Sequence, residues 1–233
     1  MKLQEVINKI ENGDFSAETN AELHKSLRRS GGDFLRSQHC RIMAQRVFWS
    51  KYPGARDYAM QLLSEAQSRY AAGAGGTEQC SLWQTEGTLL FESGDYTGAY
   101  VSFAKWEEAY KEGQIGLGGV YHDLLRSILL RDRFTMSGEL ARAYTLSRQD
   151  TWFITRNMKL YWLAGEIVIA CHKKDEATVT ARQAEALHII GTKHRSSDLE
   201  KVYKKNQISD PVSVPAEVIR YIKGPFTFRF SPA

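Results

Sequence analysis

Few residues in this chain stand at a spacing that could do chemistry. The three cysteines, Cys40, Cys80 and Cys171, are far apart and form no CxxC pair. Neither a disulfide framework nor a zinc knuckle is expected, and a reducing cytosol fits better. The six histidines are scattered. His122-Asp123 and His172 have no partner at metal-ligand spacing, and HExxH is absent, so core or surface roles are expected for them. Neither GxSxG nor GxxxxGKS/T occurs, and no Ser or Cys is marked as a nucleophile. The GLGG at 116–119 follows no predicted strand, so it suits a turn or hinge between helices better than a dinucleotide loop. From these residues the chain is expected to have no catalytic group, no metal and no cofactor.

Arg182 and His188 lie near a predicted helix end, with five residues between them. They resemble the Arg–His pair of the all-helical HEPN ribonucleases. That resemblance implies a pair that positions and polarises the 2′-hydroxyl and phosphate during RNA cleavage, with Gln183 in the polar position after the Arg. The competing explanation is chance, because so permissive a spacing recurs easily.

Charge is distributed unevenly. Lys25, Arg28, Arg29, Arg36, Arg41, Arg46, Lys51 and Arg56 crowd the N-terminal third, opposed between residues 21 and 60 only by Glu22, Asp33 and Asp57. A second basic run holds Lys193, His194, Arg195, Lys201, Lys204 and Lys205. Arg28, Arg29, Arg36, Arg41, Lys201, Lys204 and Lys205 are the candidate nucleic-acid patch. Solvated helix faces would look the same. Arg36, Arg41 and Arg46 are five apart, so they wind around a helix and cannot share one stripe. The net charge of +4 permits nucleic-acid binding without demanding it.

These residues must be carried on helices. Five prolines cluster near Pro53 and after Pro211, which leaves a long proline-free middle. The apolar run from Met158 to Cys171 contains Lys159 and Glu166 and is too short to span a bilayer. The N-terminus shows no signal-peptide core. A cytoplasmic, soluble protein with no membrane partner is expected.

Helical spacing marks residues 2–11 through Leu3, Val6, Ile7 and Ile10, then 18–29, together resembling a cap. Asp33 suits an N-cap, with Cys40, Met43, Ala44 and Val47 forming one apolar face. Pro53 suits the first turn of the next helix, which carries Tyr58, Ala59, Leu62, Leu63 and Ala66. Ala71 to Thr77 suggests a flexible connection. Further stripes follow at Trp83, Gly87 and Leu90; at Tyr96, Ala99, Tyr100 and Phe103; and at Val120, Leu124, Ile128 and Leu129. Arg131 to Met136 turns the chain into Leu140, Ala141 and Tyr144. Met158, Tyr161, Gly165 and Val168 mark a long helix, with Ala177, Ala181, Ala184 and Leu187 as the apolar face of its return partner. A basic helix is expected over 193–205 and an extended tail over 206–233, with PFTFRF as a short strand or extended segment.

Self-comparison reveals a repeat. Gly87 and Gly165 lie 78 residues apart, as do Ala99 and Ala177, which implies a unit of about 39. One unit from Ala99 falls almost on Ala59 in one direction and on Gly138 in the other. Helices of a hairpin approach closely only where a small residue meets a large one. Residues 83–106, WQTEGTLLFESGDYTGAYVSFAKW, resemble a tetratricopeptide repeat through Trp83, Gly87, Leu90, Gly94, Tyr96, Ala99 and Phe103. Glu86 and Trp106 depart from that pattern, the closing Pro is missing, and the unit exceeds the family's length of about 34 residues. A second match covers Tyr161, Gly165, Val168, Ala177, Ala181 and Ala184.

The resemblance implies an all-α, right-handed solenoid of four hairpins over 33–192, within a single helical-repeat domain of residues 1–205. It implies a non-catalytic adaptor that holds another protein or peptide, its own copy included, in a concave groove lined by the first helix of each hairpin. Arg46, Gln84, Thr88, Asp123 and Lys159 lie on those helices off the buried stripe and are the candidate partner-binding residues. A nucleic-acid-associated protein is the alternative, and a helical ribonuclease the third possibility.

Overall fold

The computed structural model describes residues 2–29, 31–111, 119–149, 155–191 and 214–223. Among these, twelve helices and no strand are found. The chain divides into two compact units, Met1–Leu117 and Gly118–Ala233. The basic run over 193–205, the PFTFRF segment and the first three residues of GLGG lie outside the described residues.

The first unit contains α1 (Leu3–Glu11), α2 (Ala17–Leu27), α3 (Asp33–Phe48), α4 (Ala55–Arg69), α5 (Ala71–Ala74), α6 (Gly76–Glu92) and α7 (Tyr96–Lys111). α3 pairs with α4 and α6 with α7, while α6 also rests on α3 and α4. The α1–α2 pair adds Val6, Ile10, Leu23 and Leu27 to the core that α3 and α4 build with Val47, Phe48, Leu62 and Leu63. Burying such aliphatic chains contributes about 1.5–3 kcal/mol each, the main force joining α1 and α2 to the hairpins.

The second unit contains α8 (Val120–Arg131), α9 (Gly138–Gln149), α10 (Arg156–His172), α11 (Glu176–Gly191) and α12 (Ala216–Lys223). α8 pairs with α9 and α10 with α11, and α10 also touches both α8 and α9. Leu124, Leu125, Ile128, Leu129, Leu160, Ala164 and Ile167 are almost wholly buried.

Each of the four hairpin turns contains a residue in the left-handed region: Gly54, Gly94, Arg133 and Lys174, spaced 40, 39 and 41 residues apart. A period near that read from the sequence is therefore present in the backbone. Its register differs in the last hairpin. The Asp95 N–H donates to the Leu90 carbonyl and the Asp175 N–H to the Ala170 carbonyl, so the two turns close in the same way. The Asp carboxylates then cap the following helices, accepting from the Gly98 N–H at 2.8 Å and the Thr178 N–H at 3.0 Å. Equivalent residues are therefore 80 apart, not 78. Gly87 corresponds to Ile167 and Ala99 to Val179.

That shift of two residues overturns the face expected for α11. Ala177, Ala181, Ala184 and Leu187 are exposed, while Val179, Arg182, Gln183 and Ala186 turn inward. Two residues rotate a helix by about 200°, enough to exchange its faces. Gly87 packs against Phe103 in its own hairpin. Gly165 instead faces Tyr144 of α9 and Leu125 of α8. Gly138, the supposed counterpart of Ala99, is the exposed first residue of α9.

Other expectations fail locally. Gly32, not Asp33, precedes α3 as its N-cap. Asp33 is the first helical residue, and its carboxylate accepts from Arg36 Nη1 at 2.8 Å. Pro53 lies in the turn before α4, whose N-cap is Gly54. The Ala71–Thr77 stretch is not an open linker: it forms α5 and begins α6. Gly73 is small there because a Cβ would meet the Asp33 carboxylate oxygen at 2.3 Å.

The supposed extended tail contains α12. Its Val218 and Ile222, one turn apart, are fully buried, and Pro215 precedes it, accepting from the Val218 N–H at 3.0 Å. Proline breaks a helix interior but is tolerated at a start, where its missing N–H has no intrahelical partner to lose. Tyr221 stacks on Phe134 with ring centroids 4.0 Å apart.

Candidate binding surface

In the first unit, α3 meets α6 through polar side chains. The Arg41 guanidinium donates to the buried Glu78 carboxylate at 2.9 and 3.3 Å, and Ser37 Oγ lies 3.4 Å from it. Two turns further along, Gln45 Nε2 donates to Thr85 Oγ1 at 3.3 Å. α4 lies to one side of this contact, because Glu86 of α6 accepts from Gln67 of α4 at 3.4 Å. The open flanks of α3 and α6 therefore both face away from α4.

On α3 and its C-cap that flank carries Leu35, Ile42 and Trp49, exposed by 43%, 37% and 61%. Steps of seven keep them nearly in line, each shifted by about 20°. On α6 the flank carries Ser81, Gln84 and Thr88, all partly exposed. An apolar line thus runs beside a row of hydroxyls and an amide. Large apolar chains are ordinarily exposed singly, and three in a row on one helix are the less common case.

Of the candidate partner-binding residues, Arg46 lies beside Ile42 and Trp49 on α3, with its side chain 62% exposed and 3.2 Å from Glu11. Gln84 and Thr88 share the α6 flank. Asp123 and Lys159 belong to the second unit, on α8 and α10. Lys159 is exposed, whereas Asp123 forms an ion pair with Arg126 at 2.9 Å. Burial raises the Asp123 pKa, and the neighbouring Arg126 opposes that rise. Leu35, Ile42 and Trp49 were missed by sequence reasoning. Their spacing of seven, off the Cys40–Met43–Val47 stripe, was the available signal.

The candidate nucleic-acid residues separate. Arg28 and Arg29 are exposed. Arg36 is held by Asp33 and by the Leu27 and Arg28 carbonyls, at 3.1 and 2.9 Å. Arg41 is committed to Glu78, the counter-charge that makes such a burial tolerable. Lys201, Lys204 and Lys205 lie outside the described residues.

Arg182 and His188 do not form an isolated pair. Arg182 donates to Glu166 at 2.9 Å and to Glu185 at 2.7 Å, and Tyr144 also donates to Glu166. A guanidinium held by two carboxylates has less charge to offer a phosphate. Glu166 and Arg182 correspond across the 80-residue register to Glu86 and Ser102, which are bonded at 2.9 Å. Glu86, unusual for the family pattern, therefore ties α6 to α7 and to α4. Trp106 is fully buried beside Phe103, although its Nε1 has no hydrogen-bond partner among the described residues.

A second polar cluster joins α2 to α4. His24 Nε2 bonds to Glu65, and Tyr70 Oη lies 2.8 Å from His24 Nδ1. Asn20 donates to both Glu65 oxygens and accepts from Tyr58 at 3.1 Å, and Gln61 adds a bond to Glu65 at 2.9 Å. Burial lowers the His24 pKa, with Glu65 opposing in part. Burial works against a charged Glu65 too, but its hydrogen bonds together outweigh that and hold the carboxyl below its usual range. Neutral His24 then donates through Nε2 and accepts from Tyr70. Nearby Cys40 is no nucleophile, since burial pushes its thiol up to about 12. This cluster has the residue types of a proton relay, yet its donors and acceptors satisfy one another. Sequence separations of 41 and 46 residues concealed it.

Among the described residues, no three His, Cys, Asp or Glu side chains come together to hold a metal ion, and no helix is long and apolar enough to cross a membrane. No family model, curated protein or solved structure matches this chain.

Proposed function

We propose that this protein is a non-catalytic adaptor, a tetratricopeptide-like stack of helical hairpins that holds a protein partner on the open flanks of α3 and α6. The observation carrying this reading is the line of Leu35, Ile42 and Trp49 beside Gln84 and Thr88. Apolar residues at i, i+7 and i+14 accept a helix or extended segment lying along α3, with its apolar side chains removed from water. The neighbouring amide and hydroxyls offer hydrogen bonds that fix the segment's register. Trp49 and Arg46 are the residue types that most often dominate such contacts.

The test is capture from the native source with tagged wild-type chain and with an Ile42→Glu/Trp49→Ala variant, identified by mass spectrometry. Both substitutions are on an exposed face, so circular dichroism should be unchanged. At least one protein should be retained by the wild type and lost from the variant. Identical captured sets from two equally helical proteins would overturn the proposal.

A further inference from the structure

The open flank shared by α3 and α6 is complemented by the same flank turned end for end. Leu35, Ile42 and Trp49 form its apolar line, and Phe34, exposed by 43%, widens it at the Leu35 end. Phe34 lies within about 80° of Ile42 around the helix. At the other end, Trp49 rests edge-on against Phe48, with ring centroids 4.9 Å apart. One side of its indole is used there, and most of the residue still meets water.

A second chain rotated by half a turn about an axis crossing α3 at Ile42 lays the two α3 helices antiparallel. Residues equally far from Ile42 then come level. Ile42 meets Ile42 at the axis, and at each end Trp49 meets Leu35 and Phe34. A parallel copy would set Trp49 level with Trp49 and Leu35 with Leu35, crowding one end and leaving the other loose. The antiparallel rotation also keeps α6 over α6, where Ser81, Gln84 and Thr88 meet one another. Hydroxyls and amides both donate and accept, so such a row is its own complement. Gln38 and Gln45 come level on the α6 side of the line and pair by the same chemistry. On the α1 side, Arg46 brings its own counter-ion, Glu11, at 3.2 Å. It lies across from His39, whose imidazole can accept an N–H. A surface that selects an unlike protein commonly does so with charge of one sign awaiting the other. Among the described residues, this flank carries no such unbalanced charge.

We propose that the occupant of this flank is a second copy of the chain, docked antiparallel about Ile42 as a two-fold dimer. This dimer rests on the protein-binding function proposed above. Two-fold symmetry uses one patch twice, so a self-complementary line is enough to build the interface.

Sedimentation equilibrium of the full chain over a concentration series should give a mass rising from 26.5 kDa toward twice that value. Ile42→Glu places two carboxylates at the axis. It should raise the dimer dissociation constant at least about tenfold, with an unchanged circular-dichroism spectrum. Lys25→Glu, at an exposed position on α2, should leave the constant unchanged. Orientation is read with a short bifunctional thiol reagent, from which Cys40, Cys80 and Cys171 are shielded by burial. Ile42→Cys should link to itself, and Gln38→Cys should link faster to Gln45→Cys in a mixture than either does alone. A mass fixed at one chain, a dimer equally tight in Ile42→Glu, or Gln38→Cys linking to itself as fast as the mixture would overturn the antiparallel dimer. If the chain stays monomeric while Ile42→Glu/Trp49→Ala still loses a captured protein, the flank serves an unlike partner and the adaptor function stands without the dimer. If the chain is monomeric and that variant loses nothing, both proposals fall.

Discussion

At Gly87 even a methyl group would lie 2.4 Å from the Phe103 ring, which is itself fully buried. Gly87→Ala should therefore cost roughly 1–3 kcal/mol of overpacking, despite the better helix propensity of Ala. At Gly165 the nearest side-chain atoms would be 3.2 and 3.5 Å away, on Tyr144 and Leu125. Gly165→Ala should stay within about 1 kcal/mol of wild type, because propensity offsets a smaller displacement. Equal melting shifts in the two variants would show that these glycines share one environment after all. Titration adds a second residue-level prediction. Burial, with Arg126 nearby, holds the His122 pKa down to about 3, and burial also lowers that of His24. Each imidazole binds its proton less readily folded than unfolded. The stability they confer is complete above the ordinary histidine pKa of about 6.5 and drains away as pH falls toward the folded values. His122→Phe, which keeps a ring against Tyr161, should shrink the fall in urea midpoint between about pH 6.5 and 4. A fall as large as in wild type would mean His122 is not one of its sources.

At the scale of elements, the turns reveal which substitutions the hairpins tolerate. Gly94 and Lys174 are equivalent left-handed residues, with φ of 85° and 57°. A side chain in that conformation costs about 1 kcal/mol that glycine avoids. Lys174→Gly should raise the stability of the second unit by roughly 0.5–1 kcal/mol, read as a higher urea midpoint. No gain would mean that the exposed Lys174 side chain makes a compensating contribution. The helices and the period near 40 residues were legible because apolar stripes and turn residues are local properties. The register of α11 was not. Ala177, Ala181 and Ala184 satisfy a small-residue rule as well as Val179, Gln183 and Ala186 do, and only the Asp175 turn decides between them. Likewise, the tail expected to be extended contains a helix after Pro215, because Val218 and Ile222, one turn apart, find a buried face there.

At the scale of the molecule, each unit closes a core of its own. In the first, one cluster runs from Val6 and Leu23 through Phe48 and Leu63 to Leu82 and Leu89. A fragment spanning residues 1–117 should therefore fold alone, with a helical circular-dichroism spectrum and a cooperative urea transition. A non-cooperative loss of signal would show that its core is incomplete without residues 118–233. The candidate surface also becomes visible only at this scale. Residues on α3 and α6 share a face because α4 fills the other side of their contact.

The sequence alone determined that the chain would be helical, where most turns would fall, and the approximate repeat length. Those follow from hydrophobic spacing and from residues that suit a turn, and both act over a few positions. Tertiary structure decided which charges are free. In sequence, Arg28, Arg36 and Arg41 are three equivalent cations. Folding brings Glu78 against Arg41 and leaves Asp33 beside Arg36, while Arg28 stays exposed. Charge in a sequence is additive, but charge at a surface depends on which counter-ion the fold brings within reach.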